Sequence, residues 1–409
     1  MMIAAIFVSL VCLYALLSQR LSQTPLTAPI VFTAAGMAMS SSWVHVARSG
    51  VTATVFLRAA ELGLVLLLFT DASRTNLKIL RDIKTLPGRL LSTGMLLTIL
   101  LGALVARLVF PALTFWEAGI LAAILAPTDA GLGQVIVSSP RVPMRIRQAL
   151  NVEAGLNDGL SVPFLLFFMT LAAANIEGGA TSLLQFIGDQ LGLGIVVGLA
   201  IGLIGGCLLH TAVRREWVAE SFRQIGVLTL PLLCLLVAEM FDASMFIASF
   251  VAGLAVQIPF KGAGKHSVEF AEESGQLFNL TVFFLFGMIV ARDWAQFTPS
   301  SWMYGVLSLT VVRMLPVAIS LIGTRLSVPT VLFMGWFGPR GLASIVLGLV
   351  YLEQELHLPG EPAIRVAVIA TVTLSIFLHG LSAMPGISLY ERKVAALAPS
   401  APEHQVLES

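Results

Sequence analysis

Asp129, Asp158, Arg313 and Arg340 stand inside long apolar runs, and Glu153 lies five residues before Asp158. Charge in a low-dielectric layer is costly, so each of these groups needs a counter-charge, a wet cavity or an ion. For a lone carboxylate such as Asp158 that ion is a proton or a hard cation, and a site that holds either but never both has the chemistry of ion exchange. Glu153 sits about 500° around a helix from Asp158, off its narrow stripe. Pro127 with Gly131 and Gly133, and Pro339 with Gly338 and Gly341, interrupt two of the runs, because an internal proline removes a helix hydrogen bond. Such breaks bare carbonyls and half-helix ends, which Asp129 and Arg340 are placed to balance with opposite signs. No Ser/His pairing, paired catalytic aspartates or HExxH pattern emerges, so an enzyme is not expected. Cys12, Cys207 and Cys234 have no CxxC or Cys/His spacing and read as packing residues, so no disulfide, zinc site or cofactor is expected.

The elements that must position these groups are transmembrane helices. Of 409 residues 57% are hydrophobic and only 11% are charged, and the net charge of +1 gives no reason to expect a nucleic-acid partner. Apolar runs fall at about 3–18, 27–40, 52–70, 91–112, 117–138, 149–173, 184–210, 224–241, 243–258, 275–291, 302–323, 329–350 and 365–386. The fold expected is an all-α polytopic membrane protein with thirteen transmembrane helices. The first run lacks a basic leader and a clear cleavage site, so it reads as a retained helix with its N-terminus outside.

Basic residues test that orientation, because inner loops collect Lys and Arg. Arg20, Arg74, Lys78, Arg81, Lys84, Arg89, Arg141, Arg145, Arg147, Arg214, Arg215, Arg223, Lys261, Lys265, Arg325, Arg392 and Lys393 fall inside. Only Arg48, Arg292 and Arg365 fall outside. Arg58 and Arg107 lie near outer helix ends, where they snorkel, and Glu61 is spaced to pair with Arg58.

Counting depth at 1.5 Å per residue puts Asp158 roughly 14 Å into a core about 30 Å thick, in one layer with Asp129, Arg313 and Arg340. Corresponding motifs repeat at an offset of 212 to 217 residues, Pro127 with Pro339 and Leu66–Asp71 with Phe283–Met288. Seven helices separate equivalent positions, so two six-helix repeats have inverted topology, each with one discontinuous crossing helix, a transporter layout. Segment 7 carries Gly194, Gly198, Gly202 and Gly206 as a close-packing stripe. The tail after Glu391 reads as disordered.

On these residues the chain resembles the monovalent cation:proton antiporters, in the branch of NhaP-like Na+/H+ antiporters and sodium/proton exchangers. The resemblance rests on Thr128-Asp129, on Glu153-Ala154-Gly155-Leu156-Asn157-Asp158-Gly159, on Arg313, and on Gly338-Pro339-Arg340-Gly341. It implies a dimerisation scaffold from residues 1–90 and 223–292, a translocation core from 91–173 and 293–388, a linker helix in 174–222, and a short tail at 389–409. It implies a homodimer in the cell membrane that exchanges Na+, K+ or Li+ for H+ by alternating access. Asp158 would be the exchanging carboxylate, with Asn157, Asp129, Thr128 and Asp71 around the ion. Asp158, Thr128 and Asp129 are the candidate metal ligands, Glu153 would pair with Arg313, and Arg340 would balance charge. Asn157, neutral where electrogenic relatives carry a second aspartate, implies one cation per proton.

The chain departs from that pattern at three places. Ala154 stands where a cation-binding serine is common, Asp71 where many relatives have glutamate, and Ala130 where proline is frequent. His266 with Glu269, Glu272 and Glu273 reads as a solvated inner loop able to titrate. A passive channel or an electrogenic K+/H+ antiporter is the competing reading, but a channel needs a continuous multi-site pore, whereas one buried carboxylate and paired breaks suit a carrier.

Overall fold

The computed structural model describes residues 2–21, 24–42, 50–74, 86–177, 188–260, 265–354, 356–398 and 400–404, and among them every regular element is helical. The helices are α1 (Met2–Leu21), α2 (Ala28–Ser42), α3 (Gly50–Arg74), α4 (Leu86–Arg89), α5 (Met95–Val109), α6 (Phe115–Ile124), α7 (Ala130–Val137) and α8 (Met144–Glu177). They continue as α9 (Gly194–Arg214), α10 (Glu220–Met240), α11 (Met245–Val256), α12 (Lys265–Arg292), α13 (Pro299–Leu309), α14 (Val311–Ser320), α15 (Val328–Trp336), α16 (Leu342–Glu353) and α17 (Glu361–Ala395). A π-helical turn, Leu90–Gly94, joins α4 to α5. Arg48, Lys78, Arg81, Lys84 and Lys261 lie outside the described residues.

Local sequence sets where the helices start. Thr114 accepts the Glu117 N–H while the Glu117 carboxylate accepts the Thr114 N–H at 2.7 Å, a reciprocal cap that opens α6. The second oxygen of Glu117 accepts the Gly360 N–H at 2.7 Å, so one buried carboxylate fixes the starts of α6 and α17 together. Thr298 and Ser301 make the same kind of cap on α13, with Pro299 at the first helical position.

Among the described residues eight helical stretches are long and apolar enough to cross a membrane: 3–21, 86–109, 144–173, 191–214, 222–240, 275–292, 299–320 and 361–395. The other apolar runs give shorter or more charged elements. The runs at 117–138 and 329–350 are each cut in two by a non-helical stretch, as their prolines predict. α3 carries Arg58, Glu61 and Asp71, and Arg58 pairs with Glu61 at 3.0 Å and with Glu239 of α10 at 3.1 Å. Arg107 donates to the carbonyls of Pro111 and Leu113.

In lipid, helices gain little by hiding apolar surface, so close backbone approach and dispersion hold the bundle. The glycine stripe of α9 supplies this against α11: a side-chain carbon at Gly202 would lie 2.7 Å from the Ala252 carbonyl oxygen, and one at Gly206 2.8 Å from the Pro259 ring. A main apolar cluster draws on α2, α3, α5, α6, α8, α12, α16 and α17. A second gathers α7, α14, α15 and the end of α17, where Phe333 stacks on Tyr390 at 4.1 Å.

Two expectations are corrected. The tail is not disordered from Glu391: α17 runs to Ala395, and Glu403 folds back, 3% exposed, to accept the Ser327 N–H and the Thr330 hydroxyl at 2.8 Å each. Arg145 holds the neighbouring Pro402 carbonyl at 3.1 Å. The second correction concerns His266, Glu269, Glu272 and Glu273, which are on the first turns of α12 and not in a loop, because helix continues past the apolar run into polar sequence.

Candidate functional site

The two interrupted helices cross at their breaks. α6 ends at Ile124 and α7 begins at Ala130; α15 ends at Trp336 and α16 begins at Leu342. Between them the Asp129 N–H donates to the Pro339 carbonyl at 2.7 Å. The Asp129 carboxylate then accepts the Leu132 N–H at 2.8 Å and the Leu342 N–H at 2.5 Å. One acid thus caps the N-terminal ends of α7 and α16, where the helix dipoles present positive charge. Arg340 does the converse, its guanidinium donating to the carbonyls of Ala126 and, at 3.1 Å, Pro127, just beyond the C-terminal end of α6.

Glycine is required in this motif by what occupies the side-chain space. A carbon at Gly341 would overlap the Asp129 carboxylate, and one at Gly338 would overlap the Arg313 guanidinium. Arg313 makes a two-pronged ion pair with Glu153, at 2.5 and 3.0 Å, and the pair is 4% and 2% exposed. It ties α14 to α8 and satisfies two buried charges that neither helix could hold alone.

α8 carries the remaining groups. Asn157 donates to the Thr128 hydroxyl oxygen at 2.7 Å, linking α8 to the first break. Asp158 is 3% exposed, and its Oδ1, like Oδ1 of Asn157, has no hydrogen-bond partner among the described residues. Buried oxygens without partners cost free energy and mark a place for a ligand or proton. The Asp71 side chain lies against Gly155, one turn before Asp158, where a side-chain carbon would come 3.3 Å from its Cβ. The acidic charges acting on Asp158 are those of Asp129 and Asp71.

A cavity of about 850 Å³ leads to this place, with Asp71, Asp129, Asn151 and Gly155 on its wall, closed on its other sides by Tyr14 of α1 and Asn279 of α12. Gly131, Gln134 and Asn151 are exposed along it, so it opens to the outside of the bundle. Asp158 does not line it; a turn of α8 separates the two. A void of about 10 Å³, room for one water, lies between Thr128, Asp129, Glu153 and Ala154.

The structure brings Asp71, Thr128, Asp129, Glu153, Asn157, Asp158, Arg313 and Arg340 into one region, with Pro127, Gly131, Pro339 and Gly341 at the breaks. Oδ1 of Asp158 and Oδ1 of Asn157 are buried without a partner among the described residues, Asn157 touches Thr128, and each Asp129 oxygen accepts one backbone amide. Sequence reading missed Ser375 and His379 on α17, buried polar residues four apart that touch Arg340 and Trp336. Their signal was a histidine in the middle of an apolar run.

Comparison with known proteins fits this arrangement. The family described as sodium/hydrogen exchanger, transmembrane, matches residues 6–386. The Na(+)/H(+) antiporter 2 of Zygosaccharomyces rouxii is 28% identical over 63% of this chain and 34% of its own length. The K(+)/H(+) antiporter NhaP of Alkalimonas amylolytica is 24% identical over 80% of this chain and 56% of its own. The chain therefore spans about a third to just over half of those two relatives. The fold is similar to that of the sodium proton antiporter MjNhaP1 from Methanocaldococcus jannaschii, with a TM-score of 0.73 at 19% identity over 98% of this chain and 99% of that one.

Proposed function

Because the chain belongs to the transmembrane sodium/hydrogen exchanger family, we propose that it exchanges a monovalent cation for protons across a membrane, with Asp158 as the carboxylate both ions share. The observation that carries this reading is the buried Asp158 Oδ1 without a partner among the described residues, one turn beyond the floor of an open cavity. A bare carboxylate at that depth costs several kcal/mol, so the loaded states, proton or cation, are the ones able to cross between membrane faces. Loading with one ion requires release of the other, and that is obligatory exchange.

In this cycle the cation enters along the cavity past Asp71, whose charge draws it in. It is then held by Asp158, the Asn157 carbonyl and Thr128. Asp129 and Arg340 keep the crossing breaks together, and Glu153 with Arg313 braces α8 against α14. Because Asn157 is neutral, one cation replaces one proton and no net charge moves. The cavity mouth lies by Ser138, Met144 and Arg147, on the side where basic loops accumulate, which supports an inward-open state with the N-terminus outside. Paired interrupted helices at equivalent places in the two halves support thirteen crossing segments in inverted repeats. A core of residues 91–173 and 293–388 would move against a scaffold of 1–90 and 223–292 within a homodimer.

The test uses proteoliposomes with an imposed pH gradient, following internal pH on addition of Na+, Li+ or K+. Wild type should dissipate the gradient, Asp158→Asn should not, and clamping the voltage should leave the rate unchanged. A fully active Asp158→Asn protein, or no cation-driven proton movement, would overturn the assignment, and current that persists without counter-ion would favour a channel.

A further inference from the structure

The second break is not held by its own helix. Residues 337–341 leave the helical path between α15 and α16, so the Arg340 N–H loses its helical partner and the Trp336 carbonyl keeps only a tight-turn bond from the Gly338 N–H at 2.9 Å, in a region where water is scarce. Both are met from α17. His379, 2% exposed, has Nε2 2.9 Å from the Trp336 carbonyl oxygen. A carbonyl only accepts, so Nε2 carries the proton and donates. The Arg340 N–H donates to the Ser375 hydroxyl oxygen at 2.6 Å. Nδ1 of His379 lies 3.1 Å from that hydroxyl and 3.0 Å from the Ser375 carbonyl oxygen. Two directions are fixed by the acceptors: Arg340 N–H to Ser375 Oγ, and His379 Nε2–H to Trp336 O.

The Trp336 indole adds a third tie to the same helix, donating to Ser382 at 3.0 Å, and its ring packs on His379 at 5.0 Å. α17 is one continuous helix of 35 residues, with Pro385 only after Ser375, His379 and Ser382, beside an interrupted neighbour. From Arg340 the connection continues to the Ala126 and Pro127 carbonyls, the residues directly before Thr128.

We propose that Ser375 and His379 form a clamp that spans the break of the second interrupted helix and, through Arg340, sets the position of the cation ligands at the first. His379 is on this account a positioning residue that donates from Nε2, and it carries no proton across the membrane. The inference rests on the exchange site proposed above, so its test includes a variant of that site.

Initial rates of cation-driven proton movement are measured against cation concentration and pH in proteoliposomes for wild type, His379→Ala, His379→Gln, Ser375→Ala and Asp158→Asn. Loss of one buried hydrogen bond predicts that His379→Ala and Ser375→Ala raise the half-saturating cation concentration about five- to tenfold, with maximal rate changed about twofold or less. His379→Gln keeps an N–H for the Trp336 carbonyl and should return most of the affinity, and none of the three should shift the pH profile. Unchanged half-saturation in both alanine variants overturns the clamp. Loss of one limb of the pH profile in His379→Gln also overturns it, because the histidine would then be titrating. If His379→Ala does not assemble, Ser375→Ala decides alone, and if both fail, His379→Gln against wild type at varied pH decides. Activity in Asp158→Asn sinks the exchange site itself, whereas an inactive Asp158→Asn beside unaltered clamp variants sinks only the clamp.

Discussion

Removing one partner of the Glu153–Arg313 pair should destabilise the protein far more than removing both. The pair is bidentate, at 2.5 and 3.0 Å, and almost fully buried, so Glu153→Leu leaves a guanidinium at membrane depth without a counter-charge. Breaking such a pair typically costs about 3–5 kcal/mol, while replacing both members by apolar groups of similar volume is often close to neutral. The guanidinium cannot swing away to recover solvent, because the backbone at Gly338 packs against it. Glu153→Leu and Arg313→Met should therefore each lose about 3–5 kcal/mol, and the double variant Glu153→Leu with Arg313→Met should lose less than either single variant. Unfolding in mixed micelles by SDS titration measures all four corners of the cycle. Losses that simply add would refute the reasoning, and so would a double variant that is stable but no longer exchanges ions through an intact Asp158.

Gly341→Ala pushes a carbon onto the Asp129 carboxylate, and the two amides that carboxylate caps leave it nowhere to go; transport should fall to background with helix content intact by circular dichroism. Ala154→Ser places a hydroxyl in the 10 Å³ void beside Thr128 and Asp129, and the half-saturating cation concentration should drop in the liposome assay. Burial raises the proton affinity of Glu403, but the Ser327 amide and the Thr330 hydroxyl outweigh it and hold the carboxyl below its ordinary value of 4.5. A depressed carboxyl contributes its stability above that value and loses it as pH falls further. Glu403→Gln should therefore lower the midpoint of thermal unfolding at pH 7, by about 1–2 kcal/mol in stability, and make progressively less difference as pH drops below 4.5.

Charge in apolar sequence is conspicuous, and that is why Asp129, Glu153, Asp158, Arg313 and Arg340 could be picked out from the chain alone. The breaks were legible for a similar reason, since proline inside a span has an unavoidable backbone effect. What one element does for another was not. That Asp129 caps α16 as well as α7 depends on a crossing some 210 residues away in sequence. The polar residues of α17 were invisible because serine and histidine in a span have many uses, and only the Arg340 N–H and the Trp336 carbonyl at the break beside them fix which. The docked tail was misread because its composition suits a loop, while its order comes from two contacts on α15 and one on α8.

The carboxylate shared between α7 and α16 acts as a rivet through both halves of the protein. A rivet forbids the two interrupted helices from sliding past each other, so in the proposed cycle they travel as one piece with their ion. In that cycle the same atoms would grip the ion whichever side it faces, and the breaks would be carried across without being remade at each turn.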